Sequence, residues 1–433
     1  MSIKTTAING VSWVFVGNII ISISGILKIF ILTKFLTPTD FGLFALVNIV
    51  IGFSSIFLDV GFSVAILYKD KLSALEFSSL YWVNFIFCLF IFFILTISSG
   101  LVSEMYGDNE LKHLIIISAV GIIFSGIGKL FRVQEEKKLN FPILTSIDSV
   151  CSIVSLVIAV TLAYFNYGVV SLVYGSLIYM ILTNISFFIY GMNKRKNTLL
   201  LFSFSSVKSF FSMGLFYTLE QLVNYFSKEM DVLVIGKFYS TETLGFYSLA
   251  KQLALKPASL INPIFVKVCT PIFAIIKENK SSLSNAYCKL ISTISALNLP
   301  FYVLIFIFSE EIIQLLYGST FIESHVYLRL LSIYMLLLAF RNPLGSLIIS
   351  TGNTFKGFAW TLVTVCCTII GLFFTHDNGL LPIISSLILV QAILYVPMFT
   401  YIIKPITETR YSNYLLSHLP NYRWIYSSVF LNK

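Results

Sequence analysis

Charged side chains interrupt an otherwise apolar stretch of the chain at residues 214–268. Glu220, Asn224, Lys228 and Asp231 follow one another at the spacing that places side chains on one face of a helix. Charged groups at membrane depth are costly, and they often mark substrate or ion pathways. We therefore expect a helical bundle to turn this face toward a polar interior. The alternative is that these charges pair with one another and lock two helices together.

Four lysines inside apolar segments predict a site for an anion. They are Lys28, Lys228, Lys251 and Lys256, and Tyr247 lies one helical turn before Lys251. Ammonium groups in a low-dielectric cleft attract phosphate more strongly than they attract a neutral molecule. The sequence thus predicts that the lysines bind a phosphate-bearing anion, and it makes Tyr247 a candidate for stacking on a sugar.

Three carboxylates, Asp59, Glu220 and Asp231, form a second set of candidates. They either neutralise the lysines or titrate as part of ion coupling, with H+ or Na+ as the candidate ion. The six cysteines show no C-x-x-C spacing, the four histidines are scattered, and no G-x-x-x-x-G-K-[ST] motif is present. We therefore expect a transporter and not an enzyme, with no metal site and no organic cofactor.

The composition indicates the class of protein that must position these side chains. Hydrophobic residues make up 57% of the 433 and charged residues 11%, and the mean hydropathy is +0.89. Soluble domains carry roughly 25% charged residues, so the chain is an all-α polytopic membrane protein. Apolar runs that can cross a ~30 Å hydrocarbon core predict about twelve spans, at roughly 11–36, 41–68, 78–102, 113–133, 145–165, 168–192, 208–237, 243–275, 287–308, 326–349, 355–375 and 379–403.

The distribution of Lys and Arg predicts the orientation. Most of the 29 basic residues lie at the N-terminus, in the even-numbered connections or in the tail, whereas the odd-numbered connections hold few. Arg341 is one of the basic residues that we count in the even-numbered connections. Because cytoplasmic loops carry the excess of Lys and Arg, we expect both termini in the cytoplasm. The net charge of +9 mostly reflects this bias and requires no nucleic-acid partner.

An internal repeat indicates how the spans are grouped. Residues 31–48 and 234–251 align at one offset and share the frame K-F-x-[TS]-x-x-x-x-G-x-[FY]. Six predicted spans separate the copies, so the two halves should be related by a pseudo-twofold axis along the membrane normal. The same offset sets Lys28 opposite Asp231.

The repeat predicts two six-helix lobes, an N-terminal lobe at 1–192 and a C-terminal lobe at 208–403. A basic cytoplasmic linker at 193–207 would join them, and a cytoplasmic or interfacial tail would follow at 404–433. Residues 422–431 resemble the beginning of a thirteenth span.

Residues 10–66, 231–257 and 262–279 resemble the polysaccharide exporters of the multidrug/oligosaccharidyl-lipid/polysaccharide flippase superfamily. The similarity is to the O-antigen and colanic-acid repeat-unit branch, and it covers nearly the whole chain. Members of this branch often have two more C-terminal helices, so we expect either a twelve-span version or a truncated chain.

The resemblance implies a flippase of the bacterial inner membrane. It would move undecaprenyl-diphosphate-linked oligosaccharides from the cytoplasmic to the periplasmic leaflet by alternating access, for O-antigen or exopolysaccharide biosynthesis. Its implied partners are the lipid-linked oligosaccharide, membrane lipids and a polysaccharide polymerase complex. The alternatives are a cation-coupled drug exporter of the same superfamily and a membrane polysaccharide polymerase, which would need a large loop.

Overall fold

The computed structural model describes residues 3–58, 66, 69, 72–194, 202–203 and 205–419. The regular elements assigned in these residues are helices, and the chain divides into two compact units, unit 1 at Met1–Tyr225 and unit 2 at Phe226–Lys433.

Unit 1 is built from long helices. Thr37 begins the second helix with a capping box, because its side chain and that of Asp40 each accept a hydrogen bond from the other's backbone. Pro38 fits the first helical position because its missing N–H would have no partner there. The helices are α1 (Ile3–Leu32), α2 (Pro38–Phe57), α3 (Ala74–Tyr106), α4 (Glu110–Lys137), α5 (Phe141–Tyr164), α6 (Val170–Lys194) and the first part of α7 (Ser205–Phe238).

Small residues let the helices of unit 1 approach closely. A Cβ placed on Gly128 of α4 would lie 2.2 Å from the backbone oxygen of Asn184 on α6, so only glycine fits at this contact. Gly126 of α4 packs in the same way against Cys88 of α3. Close approach through small residues is how helices gain packing contacts where lipid supplies no hydrophobic drive.

Unit 2 contains the end of α7 and a longer series of helices. These are α8 (Thr241–Ile276), α9 (Lys280–Ile307), α10 (Ser309–Tyr317), α11 (Ser324–Arg341), α12 (Pro343–Thr351), α13 (Thr354–Thr375), α14 (Leu380–Met398), α15 (Lys404–Thr407) and α16 (Tyr411–Leu416), with a π-helical segment at Phe399–Ile403.

Helix α8 continues through three prolines, and a neighbouring helix compensates for one of them. The Tyr302 hydroxyl of α9 donates to the Ala254 carbonyl at 3.1 Å and accepts the Ala258 N–H at 3.3 Å. It thereby bridges two backbone groups that flank Pro257 and would otherwise bond to each other. The Tyr302 hydroxyl therefore satisfies these two backbone groups beside the proline.

The described residues include ten helices that are long and apolar enough to cross a membrane. Helices α1 and α7, with 30 and 34 residues, also exceed the ~20 residues that a crossing requires. The predicted fold class, an all-α polytopic membrane protein with about twelve spans in two lobes, is confirmed. The lobe boundaries stay predictions, since most of the 193–207 linker lies outside the described residues and the tail is described only to residue 419.

Candidate functional site

A turn between α7 and α8 brings charged side chains of the two helices together in unit 2. Helix α7 ends at Phe238, and Ser240 begins α8 by accepting a hydrogen bond from the Thr243 N–H at 3.2 Å. Because the chain reverses here, side chains before the turn meet those after it. Tyr247 and Lys251, one helical turn apart on α8, both contact Asp231 of α7.

Lys251 uses its whole donor capacity within this group. Its Nζ lies 2.9 Å from Asp231 Oδ1, 3.1 Å from Glu229 Oε2 and 2.8 Å from the backbone oxygen of Lys228. An ammonium group has three N–H donors, so all three have acceptors. We refer to Lys251, Asp231, Glu229 and Tyr247 as the Lys251 cluster.

Asp231 is equally well satisfied. Its Oδ2 accepts a hydrogen bond from the Tyr247 hydroxyl, and its Oδ1 also accepts the Val232 N–H at 2.9 Å. Relative exposure is 5% for Asp231, 8% for Lys251 and 0% for Tyr247. Such burial is tolerated because each charge has both an opposite charge and hydrogen bonds.

The charge balance of the Lys251 cluster differs from that expected of a cationic site. One ammonium faces two carboxylates, so the cluster carries a net negative charge when all three groups are ionised. In this conformation a phosphate could reach Lys251 only by displacing one of its acceptors. The arrangement matches the expectation that carboxylates neutralise lysines, and whether Lys251 also binds substrate stays a prediction.

The other predicted residues of α7 are more exposed. Glu220 and Lys228 are exposed, whereas Asn224 is partly buried. The four positions predicted to share one polar face thus range from exposed to buried at Asp231. Glu220 lies in unit 1 and Lys228 in unit 2.

Lys28 and Lys256 differ from Lys251 in having no compensating charge among the residues that the structure describes. Lys28, in α1 of unit 1, is partly buried beside Gly175, where its Nζ lies 3.0 Å from the position of an added Cβ. Lys256, in α8 of unit 2, is also partly buried. Neither forms an ion pair with a carboxylate of the described residues. Asp59 lies outside the described residues.

Unit 1 contains a charged group that the sequence analysis missed. Arg132 of α4 donates to both carboxylate oxygens of Asp148 on α5, at 2.9 and 2.8 Å, and to Glu136 Oε1 at 3.0 Å. Its guanidinium carbon lies 5.3 Å from the ring centroid of Phe187 on α6. We refer to these four residues as the Arg132 cluster.

A sequence signal for the Arg132 cluster was available. Asp148 is the only charged residue in the apolar run 141–164, and a lone carboxylate in such a run calls for a partner. The count of Lys and Arg along the chain instead groups Arg132 with the cytoplasmic excess of basic residues. The partner could not be read from spacing, because it lies on a different helix.

Comparison with protein families gives one match that covers most of the chain. Residues 31–326 match the family described as "Polysaccharide biosynthesis protein". This range includes all four residues of the Lys251 cluster and all four of the Arg132 cluster.

Curated relatives are similar over most of the chain. The lipopolysaccharide biosynthesis protein WzxC of Escherichia coli (strain K12) is 25% identical over 425 residues, covering 96% of this chain and 85% of the relative. The teichuronic acid biosynthesis protein TuaB of Bacillus subtilis (strain 168) is 26% identical over 360 residues, covering 83% and 74%.

Solved structures share the fold. The lipid II flippase MurJ in its inward closed conformation superposes with a TM-score of 0.78 at 17% identity, covering 97% of this chain and 94% of that one. An inward-facing multidrug resistance MATE transporter gives a TM-score of 0.65 at 15% identity, covering 90% and 96%. These likenesses concern the fold alone. The family match, which covers more than half of the chain, confirms the resemblance expected from the sequence: the chain belongs to the polysaccharide biosynthesis protein family.

Proposed function

We propose that this protein is a flippase that moves undecaprenyl-diphosphate-linked oligosaccharide repeat units from the cytoplasmic to the periplasmic leaflet. The product would supply surface polysaccharide, either O-antigen or exopolysaccharide. Family membership supports this function, as do relatives named for lipopolysaccharide and teichuronic acid biosynthesis. The shared fold with a lipid II flippase supports it further.

The observation that carries the proposal is the partial burial of Lys28 and Lys256 without a described carboxylate partner. Each is a partly buried cation in a membrane helix, and neither has a carboxylate partner among the described residues. An uncompensated ammonium at membrane depth is costly, so an anionic ligand would bind with a large electrostatic gain. A diphosphate headgroup is such a ligand, and its polyprenyl tail can stay in lipid.

The transport cycle we propose is alternating access. A lysine without a described carboxylate partner, Lys28 in unit 1 or Lys256 in unit 2, binds the diphosphate from the cytoplasmic side, and a conformational change then exposes the sugar to the periplasm. The Lys251 cluster is our candidate for ion coupling, because its second carboxylate charge is not balanced by a cation within the cluster. Binding of H+ or Na+ would neutralise that charge and favour the return of the empty carrier.

The proposed setting is the bacterial inner membrane, with both termini in the cytoplasm and a polysaccharide polymerase complex as a further partner. The multi-pass helical fold supports membrane insertion. Alkaline phosphatase fused after Thr407 should be inactive, and a fluorescent protein fused there should be fluorescent. The opposite pattern would contradict the orientation.

The function is tested by deleting the gene in its native host and measuring lipid-linked repeat units together with surface polysaccharide. We expect repeat units to accumulate, surface polymer to be lost, and the intact gene to restore both. A Lys28→Gln and Lys256→Gln double variant should reach normal abundance and fail to restore export. The matched control is Lys267→Gln, which changes an exposed lysine of the same α8 helix.

Two outcomes would contradict parts of this proposal. Unchanged lipid intermediates and unchanged surface polymer, in a strain without a second exporter, would remove the flippase function. Full export by the double variant would retain the flippase and remove the lysine assignment. If the strain expressing the protein instead becomes resistant to cationic dyes, the drug-exporter alternative replaces it.

A further inference from the structure

Helices α9 and α16 line a groove in unit 2. Its volume is about 570 Å³, which lies within the roughly 300–1,000 Å³ typical of ligand pockets. Residues three or four apart lie on the same side of a helix, so α9 contributes one continuous face. The side chains used below are Asn285, Cys288, Lys289 and Ser292 of α9 and Asn413 of α16.

Hydrogen bonds connect the two walls of the groove at both ends. The Ser284 and Thr409 hydroxyl oxygens lie 2.7 Å apart before α16 begins. The Ser295 hydroxyl donates to the His418 carbonyl oxygen just after α16 ends. Tyr414 of α16 is fully buried. The groove is therefore formed before a ligand arrives, which lowers the entropy cost of binding.

The groove contains polar groups that no described residue satisfies. Ser292 has 9% exposure, and its hydroxyl forms no hydrogen bond with the described part of the chain. A hydroxyl in a helix often bonds to a carbonyl of the preceding turn, as Thr293 does with Lys289. The amides of Asn285 and Asn413 are exposed and likewise have no described partner. Three side chains thus offer hydrogen bonds to a ligand.

The charge of the groove favours an anion. Lys289 lines it, whereas the described lining residues include no carboxylate. An ammonium group attracts phosphate, and hydroxyl and amide groups beside it can bond both phosphate oxygens and alcohol groups. The lining therefore suits a phosphate ester that also carries hydroxyl groups.

The groove lies near one end of a membrane helix. Helix α9 (Lys280–Ile307) is long and apolar enough to cross the membrane, and Ser292 lies twelve residues after its start, or roughly 18 Å along the axis. On the other wall, Leu415, Leu416 and Leu419 are exposed. Apolar side chains exposed beside polar ones are typical of segments at the membrane interface. Acyl chains could contact these leucines while a headgroup occupies the groove.

We propose that this groove binds the headgroup of an anionic glycerophospholipid such as phosphatidylglycerol. Lys289 pairs with the phosphate, and Ser292 and the two asparagines form hydrogen bonds with phosphate and glycerol oxygens. The bound lipid holds α16 against α9 at the membrane surface. Lipid binding here does not depend on the proposed transport function.

Binding is measured on the delipidated full chain in maltoside detergent through the alkylation of Cys288. This free, partly buried cysteine lines the groove, so a bound headgroup should shield it from N-ethylmaleimide. Peptide mass spectrometry follows the reaction while phosphatidylglycerol is added. We expect saturable protection. Cys366, exposed on α13, reports general coverage by lipid.

Two further ligands distinguish the source of the phosphate and the role of charge. Phosphatidylcholine with the same acyl chains is the zwitterionic control, and it should protect Cys288 more weakly while affecting Cys366 equally. Glycerol 3-phosphate is the soluble phosphate ester, and it should protect weakly because it lacks acyl chains. Protection by glycerol 3-phosphate at the same concentrations as phosphatidylglycerol would contradict the lipid assignment.

Variants at exposed positions make the test specific. Lys289→Gln should raise the half-saturating concentration of phosphatidylglycerol about fivefold, because one basic group near the lipid surface is lost. Replacing Asn285 and Asn413 together by Leu should raise it about tenfold, because two hydrogen-bonding groups are lost. The matched control is Lys277→Gln, which removes the same charge from an exposed lysine that is not among the described lining residues.

The proposal fails if phosphatidylglycerol gives no saturable protection, or protects Cys288 no better than phosphatidylcholine. It also fails if Cys288 does not react in the delipidated protein, since the groove is then closed, or if both groove variants keep the parental half-saturating concentration. A monodisperse elution profile and an unchanged helical circular dichroism spectrum establish folding in each case. Transport in cells is not part of this readout, so failure here leaves the flippase proposal intact.

Discussion

The Arg132 cluster of unit 1 and the Lys251 cluster of unit 2 contain the same number of charges in different surroundings. In each, one cation contacts one Asp and one Glu. Side-chain exposure is 35% for Arg132 and 11% for Asp148, but only 10% for Lys251 and 6% for Asp231. The cation is thus more exposed in unit 1 than in unit 2, whereas the carboxylates differ little. Asp148 and Asp231 are both buried, and the side chains of Glu136 and Glu229 are 40% and 31% exposed.

The two cations also bind their carboxylates differently. Arg132 aligns its planar fork with both oxygens of Asp148, which is the bidentate geometry that only arginine can make. Lys251 is a point charge that distributes three donors over Asp231, Glu229 and a backbone carbonyl. The planar guanidinium of Arg132 fixes the direction of its hydrogen bonds. The Lys251 arrangement instead depends on enclosing one compact ammonium group.

This difference predicts unequal sensitivity to losing the cation. Solvent screens an ion pair whose cation is exposed more strongly than one whose cation is enclosed. The unbalanced carboxylate charge beside the enclosed Lys251 is also where a small cation would have the greatest effect. The comparison therefore assigns a mainly structural role to the Arg132 cluster and a candidate coupling role to the Lys251 cluster.

The largest expected effect comes from Lys251→Gln. It leaves Asp231 and Glu229 facing each other without a cation, and breaking a buried pair in this way costs about 3–5 kcal/mol. We expect a marked fall in the thermal unfolding midpoint of the purified protein and in its membrane abundance. Arg132→Gln is the matched variant, and its expected cost is about 1–2 kcal/mol, because Arg132 is itself more exposed than Lys251 and solvent screens its ion pairs more strongly.

Equal destabilisation by the two substitutions would contradict the expectation that the Lys251 cluster depends more strongly on its cation. A larger loss for Arg132→Gln would reverse it and would indicate that the bidentate geometry matters more than enclosure. Adding Asp231→Asn and Glu229→Gln to Lys251→Gln removes the unbalanced charges. This triple variant should recover part of the lost stability if enclosure is the cause.

A smaller effect is expected for Tyr247→Phe, which tests one hydrogen bond of the Lys251 cluster. The substitution removes the hydroxyl that donates to Asp231 and leaves the ring in place, so we expect a cost of about 1.5–3 kcal/mol. Tyr302→Phe is the control, because the Tyr302 hydroxyl bonds only uncharged backbone groups near Pro257. Its expected cost is about 0.5–1.5 kcal/mol. Chemical unfolding of both variants gives the two values, and equal costs would deny that the Asp231 charge strengthens its hydrogen bond.

Apolar patterning predicted nearly all of the fold, because each membrane crossing is marked by its own run of residues. The predicted spans at 243–275 and 355–375 correspond to α8 (Thr241–Ile276) and α13 (Thr354–Thr375). The internal repeat and the family resemblance were equally local signals. Each could be read without knowing which helices touch.

The candidate site was predicted less completely, because its chemistry depends on contacts between helices. Spacing identified Asp231, Tyr247 and Lys251 as candidates, and the turn after Phe238 explains why they meet. Spacing could not show that Glu229 would be a second carboxylate in contact with Lys251. It also could not place Arg341 beside Gln391, since that pair joins α11 to α14.

The smallest expected effect concerns His418, which follows α16 and lies outside the spans of unit 2. Lys251 and Arg132 have carboxylate partners, but no described carboxylate pairs with His418, and its ring contacts the Tyr395 hydroxyl and the Tyr414 carbonyl oxygen. Burial lowers the pKa of His418 to about 4. A group buried without an opposite charge is thus expected to give up its own charge.

The sign of the pH dependence follows from that lowered pKa. Near pH 5 the unfolded chain binds a proton at this histidine, whose ordinary pKa is about 6.5, while the folded chain binds less. Stability from this group is therefore complete above pH 6.5 and declines as the pH falls toward about 4. We expect the thermal midpoint to decrease less steeply over this range in His418→Gln than in the parent. The control is the exposed His113, whose replacement by Gln should leave the slope unchanged. If His418→Gln keeps the parental slope, a carboxylate or another group governs the acid response, and the contrast between paired and unpaired buried charges does not extend to the tail.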